Sequence, residues 1–468
     1  MKVEQIYTGC LAEAAYYIES NGEVAIIDPL RDPQPYLEKL SENGDKLKYV
    51  FETHFHADFV SGHIDLAKAT GAKIVFGPTA KPSYDIIEAA DNQEFKIGDI
   101  TLRVLHTPGH TLESTTYLLL DEEGKMNSIF SGDTLFIGDV GRPDLAVKSD
   151  LTKEDLAAML YESIHNKILP LPDDLIVYPG HGAGSACGKN LSSETTDTLG
   201  NQKATNYALD VKLSKADFVT ELTTGILPPP QYFPKNAMMN MKGYESFEDI
   251  KDKALKSFDA KTFRSVAEST EALVLDTRHQ SKFMESHIPG SIFIGIDGNF
   301  APWVGALITD IHQPILIVAD EGKAEEIVTR LSRVGYDSTI GFLEGGLEGW
   351  KAAGLETDSM PTVSSKQFEK LYTKELNVID VRKPGEFEAE HIEIAESIPL
   401  DFINSNMAKI DANKNYYAHC AGGYRSVIFG SILKSRGLHN LTNIEGGYKE
   451  LSETSIPKTN FVCPSQKN

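Results

Sequence analysis

The segment Thr53-His54-Phe55-His56-Ala57-Asp58-Phe59 is the strongest indication of the fold in this sequence. Its two histidines and its aspartate occupy alternate positions, and they follow an apolar run at residues 49–51 that is typical of a buried strand. Imidazole and carboxylate groups hold a metal ion when their ligand atoms converge within ~2–2.5 Å of it. The stretch therefore predicts a metal site at the point where a strand ends in a loop.

Length and composition indicate a globular protein of several domains. The chain has 468 residues, which suggests about three domains. Its formal net charge is −23 and lysine and arginine form no cluster, so nucleic acid and anionic membranes are disfavoured as partners. No apolar stretch is long enough to span a bilayer, and the first residues lack the core of a signal peptide.

Cysteine usage indicates a reducing compartment. The chain has four cysteines, scattered and without Cys-x-x-Cys spacing, at Cys10, Cys187, Cys420 and Cys463. This pattern excludes a disulfide scaffold and favours the cytoplasm. Such a compartment suits a reactive thiol.

Residues 1–250 are predicted to form an α/β domain, because short β runs alternate with stretches of helical periodicity. The predicted strands are 24–28, 49–53, 74–76, 102–107, 117–120, 129–131 and 175–179, and the predicted helices are 35–42, 64–70 and 153–165. The proline-rich segment 227–234 can form neither a regular helix nor a central strand. We expect it to close this domain as a packed, extended tail.

Beyond this domain the chain repeats itself. The Asp-x-Arg pattern at 276–278 recurs at 380–382, and the His-Ile pair at 287–288 recurs at 391–392 with the same spacing. Chance similarity does not explain several features in matched order. We therefore predict two further α/β domains, a first repeat at 251–358 and a second repeat at 359–468.

Three more candidate metal ligands each follow a predicted strand. They are His110 in Pro108-Gly109-His110, Asp133 in Gly132-Asp133-Thr134 and His181 in Pro179-Gly180-His181. A lone histidine is more often a hydrogen-bonded structural residue than a ligand. Several imidazole and carboxylate groups, each at a strand end beside Gly or Pro, indicate a shared site.

These motifs resemble the metallo-β-lactamase superfamily, whose pattern is H-x-H-x-D-H. The last histidine of that pattern serves a second metal, and Phe59 stands in its place, so the sequence favours one metal. Within the superfamily, residues 132–138 and 141–144 are similar to the persulfide dioxygenases. The resemblance implies an αβ/βα sandwich. It also implies one Fe(II) per chain, held by His54, His110 and Asp133.

His56, Asp58 and His181 then become groups behind the ligands or facing the substrate, as the resemblance implies. The triad of two histidines and one carboxylate matches the facial triad of non-haem Fe(II) oxygenases, which leaves positions open for O₂ and a substrate. Arg142 follows on the loop Gly141-Arg142-Pro143. It is predicted to bind the anionic substrate, and a structural salt bridge is the alternative.

A second chemistry is carried by His419-Cys420-Ala421-Gly422-Gly423-Tyr424-Arg425. The cysteine follows a strand end and precedes a helix, so backbone N–H groups and the helix N-terminus would favour its thiolate. Arg425 adds positive charge. This loop resembles that of the rhodanese family, in which the cysteine carries a persulfide. The resemblance makes Cys420 and Arg425 catalytic and places Ala421, Gly422, Gly423 and Tyr424 around the substrate.

The first repeat is rhodanese-like in outline, but its equivalent loop at 318–323 contains no cysteine. We expect it to be inactive, either as a spacer or as a docking surface. Acidic residues in that loop would repel an anionic sulfur substrate.

Together these resemblances imply an enzyme that oxidises a thiol persulfide with O₂ to sulfite and converts sulfite and persulfide to thiosulfate at Cys420. The implied role is disposal of sulfide and persulfide. Relatives commonly self-associate, so a homo-oligomer is expected. A dinuclear zinc thioester hydrolase of glyoxalase II type and a non-catalytic persulfide carrier are the alternatives. The carrier thiol and the direction of sulfur transfer remain open.

Overall fold

The computed structural model describes residues 1–146, 151–189 and 191–462, so Cys463 lies outside the described residues. The chain divides into two compact units. One contains Met1–Asp249 with Leu331–Gly335, and the other contains the rest of the chain. Among the described residues, no helix is both long enough and apolar enough to cross a bilayer.

The first unit contains two six-stranded sheets, with strand orders β1-β2-β3-β4-β5-β6 and β12-β11-β10-β9-β8-β7. The strands are β1 (Lys2–Thr8), β2 (Glu13–Ser20), β3 (Glu23–Ile27), β4 (Lys46–Phe51), β5 (Lys73–Phe76), β6 (Ile87–Glu88), β7 (Glu94–Ile97), β8 (Ile100–His106), β9 (Thr115–Leu120), β10 (Met126–Gly132), β11 (Ile176–Pro179) and β12 (Asp197–Thr198). The helices are α1 (Gln34–Asn43), α2 (His63–Thr70), α3 (Lys153–Ser163), α4 (Leu199–Thr205), α5 (Lys215–Thr223) and α6 (Phe233–Lys242), and α7 (Phe247–Ala254) follows them.

The two sheets pack face to face with helices outside them. One apolar cluster lies between the sheets, where Tyr16 and Phe51 of the first sheet meet Tyr117 and Phe130 of the second. A second cluster joins the outer face of the first sheet to α1 and α2, and a third joins the outer face of the second sheet to α3 and α5. Strands buried on both faces explain the continuous apolar runs in the sequence. The predicted αβ/βα sandwich is therefore confirmed.

The predicted strands and helices of this unit are present, with ends that differ by a few residues. The helix predicted over 153–165 ends at Ser163 and continues as a π-helical turn at Ile164–Ile168. The proline-rich segment is not extended throughout. Its last residues, Phe233 and Pro234, begin α6, because proline is tolerated in the first turn of a helix.

The second unit contains two five-stranded parallel sheets with the same topology, β13-β17-β16-β14-β15 and β18-β22-β21-β19-β20. Its strands are β13 (Ser257–Phe258), β14 (Leu273–Asp276), β15 (Ile292–Phe293), β16 (Ile315–Val318), β17 (Thr339–Leu343), β18 (Thr362–Ser364), β19 (Asn377–Asp380), β20 (Ala395–Ser397), β21 (Tyr416–His419) and β22 (Leu441–Glu445). Its helices are α8 (Ala260–Thr270), α9 (Gln280–Glu285), α10 (Phe300–Leu307), α11 (Ala324–Arg333), α12 (Gly346–Ala352), α13 (Ser365–Leu371), α14 (Pro384–Ala389), α15 (Ile403–Asn406), α16 (Tyr424–Ser435) and α17 (Gly447–Leu451).

Each sheet of the second unit has its own apolar core. Phe263, Leu316 and Trp350 belong to the core of the first repeat, and Phe368 and Ile444 belong to that of the second. The Asp-x-Arg pattern has the same position in both repeats, because Asp276 ends β14 and Asp380 ends the equivalent strand β19. The internal repeat read from the sequence is thus a duplicated α/β fold.

Candidate functional site

Three predicted ligands meet at the ends of strands in the first unit. His54 follows β4, His110 follows β8 and Asp133 follows β10, and one ligand atom from each lies within 4.8 Å of the others. The Nε2 atom of His110 is 3.4 Å from Oδ2 of Asp133, and that of His54 is 4.0 Å from the same oxygen. All three side chains are buried. The structure therefore brings together the triad that the sequence singled out.

A second triad lies beside the first. His56, Asp58 and His181 also place one ligand atom each within 4.8 Å of one another. The Nε2 atom of His181 is 3.3 Å from Oδ2 of Asp58 and 3.5 Å from Oδ1 of Asp133, so His181 touches both triads. The sequence predicted that these residues lie behind the ligands or face the substrate, but their geometry would also allow a second metal.

Unpartnered polar atoms test whether a metal fits here. Both carboxylate oxygens of Asp133, Oδ1 of Asp58 and Nε2 of His181 are buried, and none has a hydrogen-bond partner among the described residues. Buried polar atoms are otherwise nearly always hydrogen-bonded. Nitrogen and carboxylate oxygen are ligands for iron and zinc alike. The donor set therefore fits a divalent metal ion but does not by itself select one.

Hydrogen bonds orient two of the imidazoles. Nδ1 of His110 is 2.8 Å from the carbonyl oxygen of Arg142, and Nδ1 of His54 is 3.0 Å from Oγ1 of Thr53. Thr53 in turn donates to Oδ2 of Asp28 at 2.8 Å. Such contacts hold the ring of a metal ligand and direct its Nε2 atom inward.

The surroundings favour a neutral His54. Burial, with the neighbouring His56, His110 and His181, holds the pKa of His54 well below its ordinary value. A neutral imidazole is the form that binds a metal. Burial also opposes the charge of His181, but Asp58 and Asp133 outweigh it and raise the pKa of that ring.

Arg142 lies near the site, but its guanidinium group is engaged elsewhere. It donates to both carboxylate oxygens of Asp144, at 2.6 and 2.8 Å, and to the carbonyl oxygen of Leu227 at 2.6 Å. These contacts favour the structural salt bridge over the predicted binding of an anionic substrate. The carbonyl oxygen of Arg142 serves the site instead, by holding His110.

Sequence reasoning missed two carboxylates around the first unit's site. Glu52 and Asp28 flank His56, with carboxylate oxygens 3.5 and 3.0 Å from its Nε2 atom. Cys187 brings its sulfur within 4.8 Å of ligand atoms of Asp133 and His181. The signal for Glu52 and Asp28 was their position at predicted strand ends. For Cys187, a few residues after His181, the sequence favoured an inert small residue over a group that gates or senses substrate.

The second candidate site is the loop between β21 and α16. Cys420 is 1% exposed, and its sulfur accepts a hydrogen bond from the Gly423 amide at 3.0 Å. Ser426 lies further away, with Oγ 3.6 Å from the sulfur. Gly423 adopts a left-handed conformation, with φ of 96°, as it begins the helix. Strand, loop and helix thus hold the thiol as the sequence predicted.

The other residues of this loop have different surroundings. Ala421 is half-buried and Gly422 is exposed, whereas the hydroxyl of Tyr424 donates to the carbonyl oxygen of Gly295 at 2.8 Å. Arg425 makes a bidentate pair with Glu386, at 2.7 and 2.8 Å. The carboxylate of Glu386 therefore partly neutralises the positive charge of Arg425.

The first repeat has an alanine where the second has Cys420. Val318 and His419 pair with Asp276 and Asp380 at equivalent register positions, so Ala319 is the counterpart of the cysteine. Gly346 and Gly447 support this, because a Cβ atom on either would meet the carbonyl oxygen of Ala319 or Cys420, respectively. The first repeat thus lacks a thiol at this position.

Comparisons with known proteins agree with this architecture. The Metallo-beta-lactamase superfamily model matches residues 8–181, and the Rhodanese-like domain model matches residues 259–353 and 364–454. The solved structure of a metallo-β-lactamase from Staphylococcus aureus subsp. aureus COL is 33% identical, with a TM-score of 0.63. The match covers 73% of this chain and 98% of that one.

Two kinds of curated relatives match the first unit. The human mitochondrial persulfide dioxygenase ETHE1 is 29% identical over 222 residues, covering 47% of this chain and 79% of its own length. The cytoplasmic hydroxyacylglutathione hydrolase of Arabidopsis thaliana is 30% identical over 177 residues, covering 37% of this chain and 65% of its own length. The chain thus spans less than two thirds of that hydrolase.

Proposed function

Because this chain belongs to the metallo-β-lactamase superfamily and carries two rhodanese-like domains, we propose that it is a persulfide dioxygenase joined to a sulfurtransferase. The first unit would oxidise a thiol persulfide to sulfite. The Cys420 loop of the second repeat would combine sulfite with a second sulfur atom to give thiosulfate.

The observation that carries this proposal is the buried triad of His54, His110 and Asp133. Two imidazoles and one carboxylate are the ligand set of non-haem Fe(II) oxygenases, and they leave room for further ligands. Similarity to a persulfide dioxygenase over 79% of that relative's length supports the same reading. A bound iron(II) ion would supply the redox chemistry with O₂ that no side chain provides.

The residues of the chain would prepare the site for this reaction. Arg142 and Thr53 hold the rings of His110 and His54, so the triad needs little reorganisation when a metal binds. The fully buried ring of Phe59 lies against His56 and would limit access of water to that side. The overall reaction balances when a persulfide, O₂ and water give a thiol, sulfite and two protons.

At the second site Cys420 would act as a sulfur carrier. Its thiolate attacks the outer sulfur of a persulfide, the S–S bond breaks, and the thiol leaves as Cys420 becomes a persulfide. Sulfite then attacks the outer sulfur of this persulfide, releasing thiosulfate and the Cys420 thiolate. The Gly423 amide, 3.0 Å from the sulfur, would stabilise the anionic sulfur at both steps.

A pair of variants tests the proposal on anaerobically purified, iron-loaded protein. His110→Ala should abolish persulfide-dependent oxygen uptake and leave sulfur transfer intact. Cys420→Ser should leave oxygen uptake intact and make free sulfite accumulate in place of thiosulfate. Cys10→Ser is the matched control, because this half-buried thiol belongs to neither site. An unchanged thiosulfate yield from Cys420→Ser would refute the coupled reaction.

A dinuclear zinc thioester hydrolase is the second candidate for the first unit. It is favoured by the second triad of His56, Asp58 and His181 and by the similarity to a hydroxyacylglutathione hydrolase. Metal content separates the two candidates. About one iron per chain with oxygen uptake would support the dioxygenase, whereas two zinc ions per chain with thioester hydrolysis and no oxygen uptake would support the hydrolase.

We also propose that the protein works in a reducing compartment such as the cytoplasm. Its described cysteines Cys10, Cys187 and Cys420 are all free thiols. A persulfide carrier at Cys420 requires a thiol that is not locked in a disulfide.

A further inference from the structure

The Cys-less first repeat contacts the residue that joins the Cys420 loop to its helix. Tyr424 is the first residue of α16, and its hydroxyl donates to the carbonyl oxygen of Gly295 in the first repeat at 2.8 Å. Its ring also packs edge-on against Phe293, with ring centroids 5.7 Å apart. A side chain of the second repeat is therefore fixed by the first.

Gly298 shows how closely this side chain is held. A Cβ atom at that position would lie 2.4 Å from Cζ of Tyr424 and 2.7 Å from its hydroxyl oxygen. Real Cβ atoms do not approach other heavy atoms so closely, so any larger residue would push the ring away. The Tyr424 ring thus requires a glycine in the first repeat.

A second contact holds the same helix further along. The hydroxyl of Ser431, which is fully buried, accepts a hydrogen bond from the Phe293 amide at 3.0 Å. Ser431 lies seven positions after Tyr424, about two helical turns along α16. The first repeat therefore fixes α16 at its beginning and again near its middle.

The fixed end of the helix bears directly on the thiol. Gly423, the residue before Tyr424, donates its amide to the Cys420 sulfur at 3.0 Å. Because one peptide bond joins Gly423 to Tyr424, a displacement of Tyr424 would also move the Gly423 amide. The distance from the amide to the sulfur thus depends on contacts made by another domain.

We propose that the first repeat is a positioning element for the Cys420 loop, acting through Gly295 and Gly298 on Tyr424. This proposal rests on the proposed sulfur transfer at Cys420 and assigns a role to the domain that lacks a cysteine. A passive spacer would need no contact with the residue next to the loop amide. Tyr424 is then a positioning residue, acting on the thiol through Gly423.

Two variants of the full chain test this role. Tyr424→Phe removes only the hydroxyl, and Gly298→Ala displaces the ring from the opposite domain. We expect kcat of sulfur transfer to fall about fivefold in Tyr424→Phe, the factor that corresponds to one hydrogen bond of ~1 kcal/mol. Gly298→Ala should lower kcat further. We expect KM to stay the same, because Tyr424 acts on the thiol and not on the substrate. Removal of a residue that binds substrate would instead change KM.

Alkylation of Cys420 by iodoacetamide, followed by mass spectrometry, provides a readout that needs no sulfur substrate. We expect the rate of alkylation to fall in Tyr424→Phe and in Gly298→Ala, because the Gly423 amide would be less well aligned with the Cys420 sulfur. If the wild-type protein transfers no sulfur, the proposed function fails, yet the alkylation rates still decide the positioning role. Oxygen uptake should be the same in all variants.

Tyr372→Phe is the matched control. Its hydroxyl is buried without a hydrogen-bond partner among the described residues, and its ring packs on Phe368 in the apolar core of the second repeat. A double variant tests direct contact, because Gly298→Ala should have no further effect once Tyr424→Ala has removed the ring. Unchanged kcat and alkylation in Tyr424→Phe would overturn the proposal, and that variant decides the matter even if Gly298→Ala does not fold.

Discussion

Phe59 occupies a fixed position beside the metal ligands. Its ring is fully buried, with its centroid 4.3 Å from that of His56. Asn240 donates to the carbonyl oxygens of both Phe59 and His56, each at 2.8 Å, which holds the backbone of this segment. A different side chain at position 59 would therefore enter the same place near the second triad.

Replacement of this ring by a ligand tests how it limits metal binding. Phe59→His should raise the zinc content of zinc-loaded protein from about one toward two ions per chain, because an imidazole would join His56, Asp58 and His181. Mass spectrometry of the metal after gel filtration measures this ratio. Phe59→Leu is the control, since it removes the ring without adding a ligand. Equal zinc content in both variants would show that Phe59 does not set the number of metals.

At the scale of elements, the site depends on the close approach of β10 to the end of β4. Gly132 ends β10 with φ of 50°, and a Cβ atom there would lie 2.6 Å from Cβ of Thr53. Thr53 precedes His54 and Gly132 precedes Asp133. His54 and Asp133 follow different strands, and they can lie close together because Gly132 has no side chain.

Gly132→Ala is expected to destabilise the first unit and lower its metal content. The left-handed conformation costs about 1–2 kcal/mol for a residue with a side chain, and the clash with Thr53 adds about 1–3 kcal/mol. Gly124→Ala is the matched control, because φ is 79° there and no atom lies within 4 Å of the added carbon. Thermal unfolding and metal analysis should show a larger loss for Gly132→Ala, and equal losses would contradict this account.

The contact between α14 and α16 gives the second repeat a dependence on pH. Burial opposes ionisation of Glu386, but hydrogen bonds from Arg425 outweigh it and hold the pKa of Glu386 below its ordinary value of 4.5. A carboxylate with a lowered pKa stabilises the fold above its ordinary pKa, and this stability is lost as the pH falls through the lower folded value.

Glu386→Gln should therefore lower the unfolding midpoint at pH 7 and have a smaller effect at pH 3. The pair is partly exposed, so we expect a contribution of no more than about 1 kcal/mol. Circular dichroism during thermal unfolding at both pH values measures the difference. A destabilisation that is equal at the two pH values would mean that the charge of Glu386 is not its source.

The negative net charge of the whole molecule repels the proposed anionic substrates. The formal charge is −23, and sulfite and ionised persulfides are anions. Long-range repulsion slows the approach of anions, and salt screens it, since the Debye length is ~10 Å at 0.1 M and ~30 Å at 0.01 M. Arg142 and Arg425 offset little of this repulsion, because each is paired with a carboxylate.

Raising ionic strength from about 0.01 to 0.2 M should therefore lower KM for an anionic persulfide and leave kcat unchanged. Steady-state kinetics with a chloride salt measures this effect. A persulfide without net charge is the control, because its KM should not respond to salt. A KM that rises with salt for the anionic substrate would indicate that local positive charge at the site dominates.

Some site residues could be read from the sequence and others could not. His54, His110, Asp133 and Cys420 each follow a strand in a recognisable local pattern, and the structure brings the first three together. Arg142 shared the same loop signal, but its partners Asp144 and Leu227 include a residue distant in sequence. Local pattern shows that an arginine is near a site but does not show which atoms it contacts.

The layered α/β architecture, the duplicated repeat and the lack of a cysteine in the first repeat could all be predicted from the sequence. These features follow from periodicity and from residue identity, both of which are local. Only the folded chain shows that a second triad of His56, Asp58 and His181 lies beside the first, and that Gly295 holds Tyr424. Such contacts join strand ends and domains that are separated by many residues along the chain, and no local sequence pattern records the distance between them.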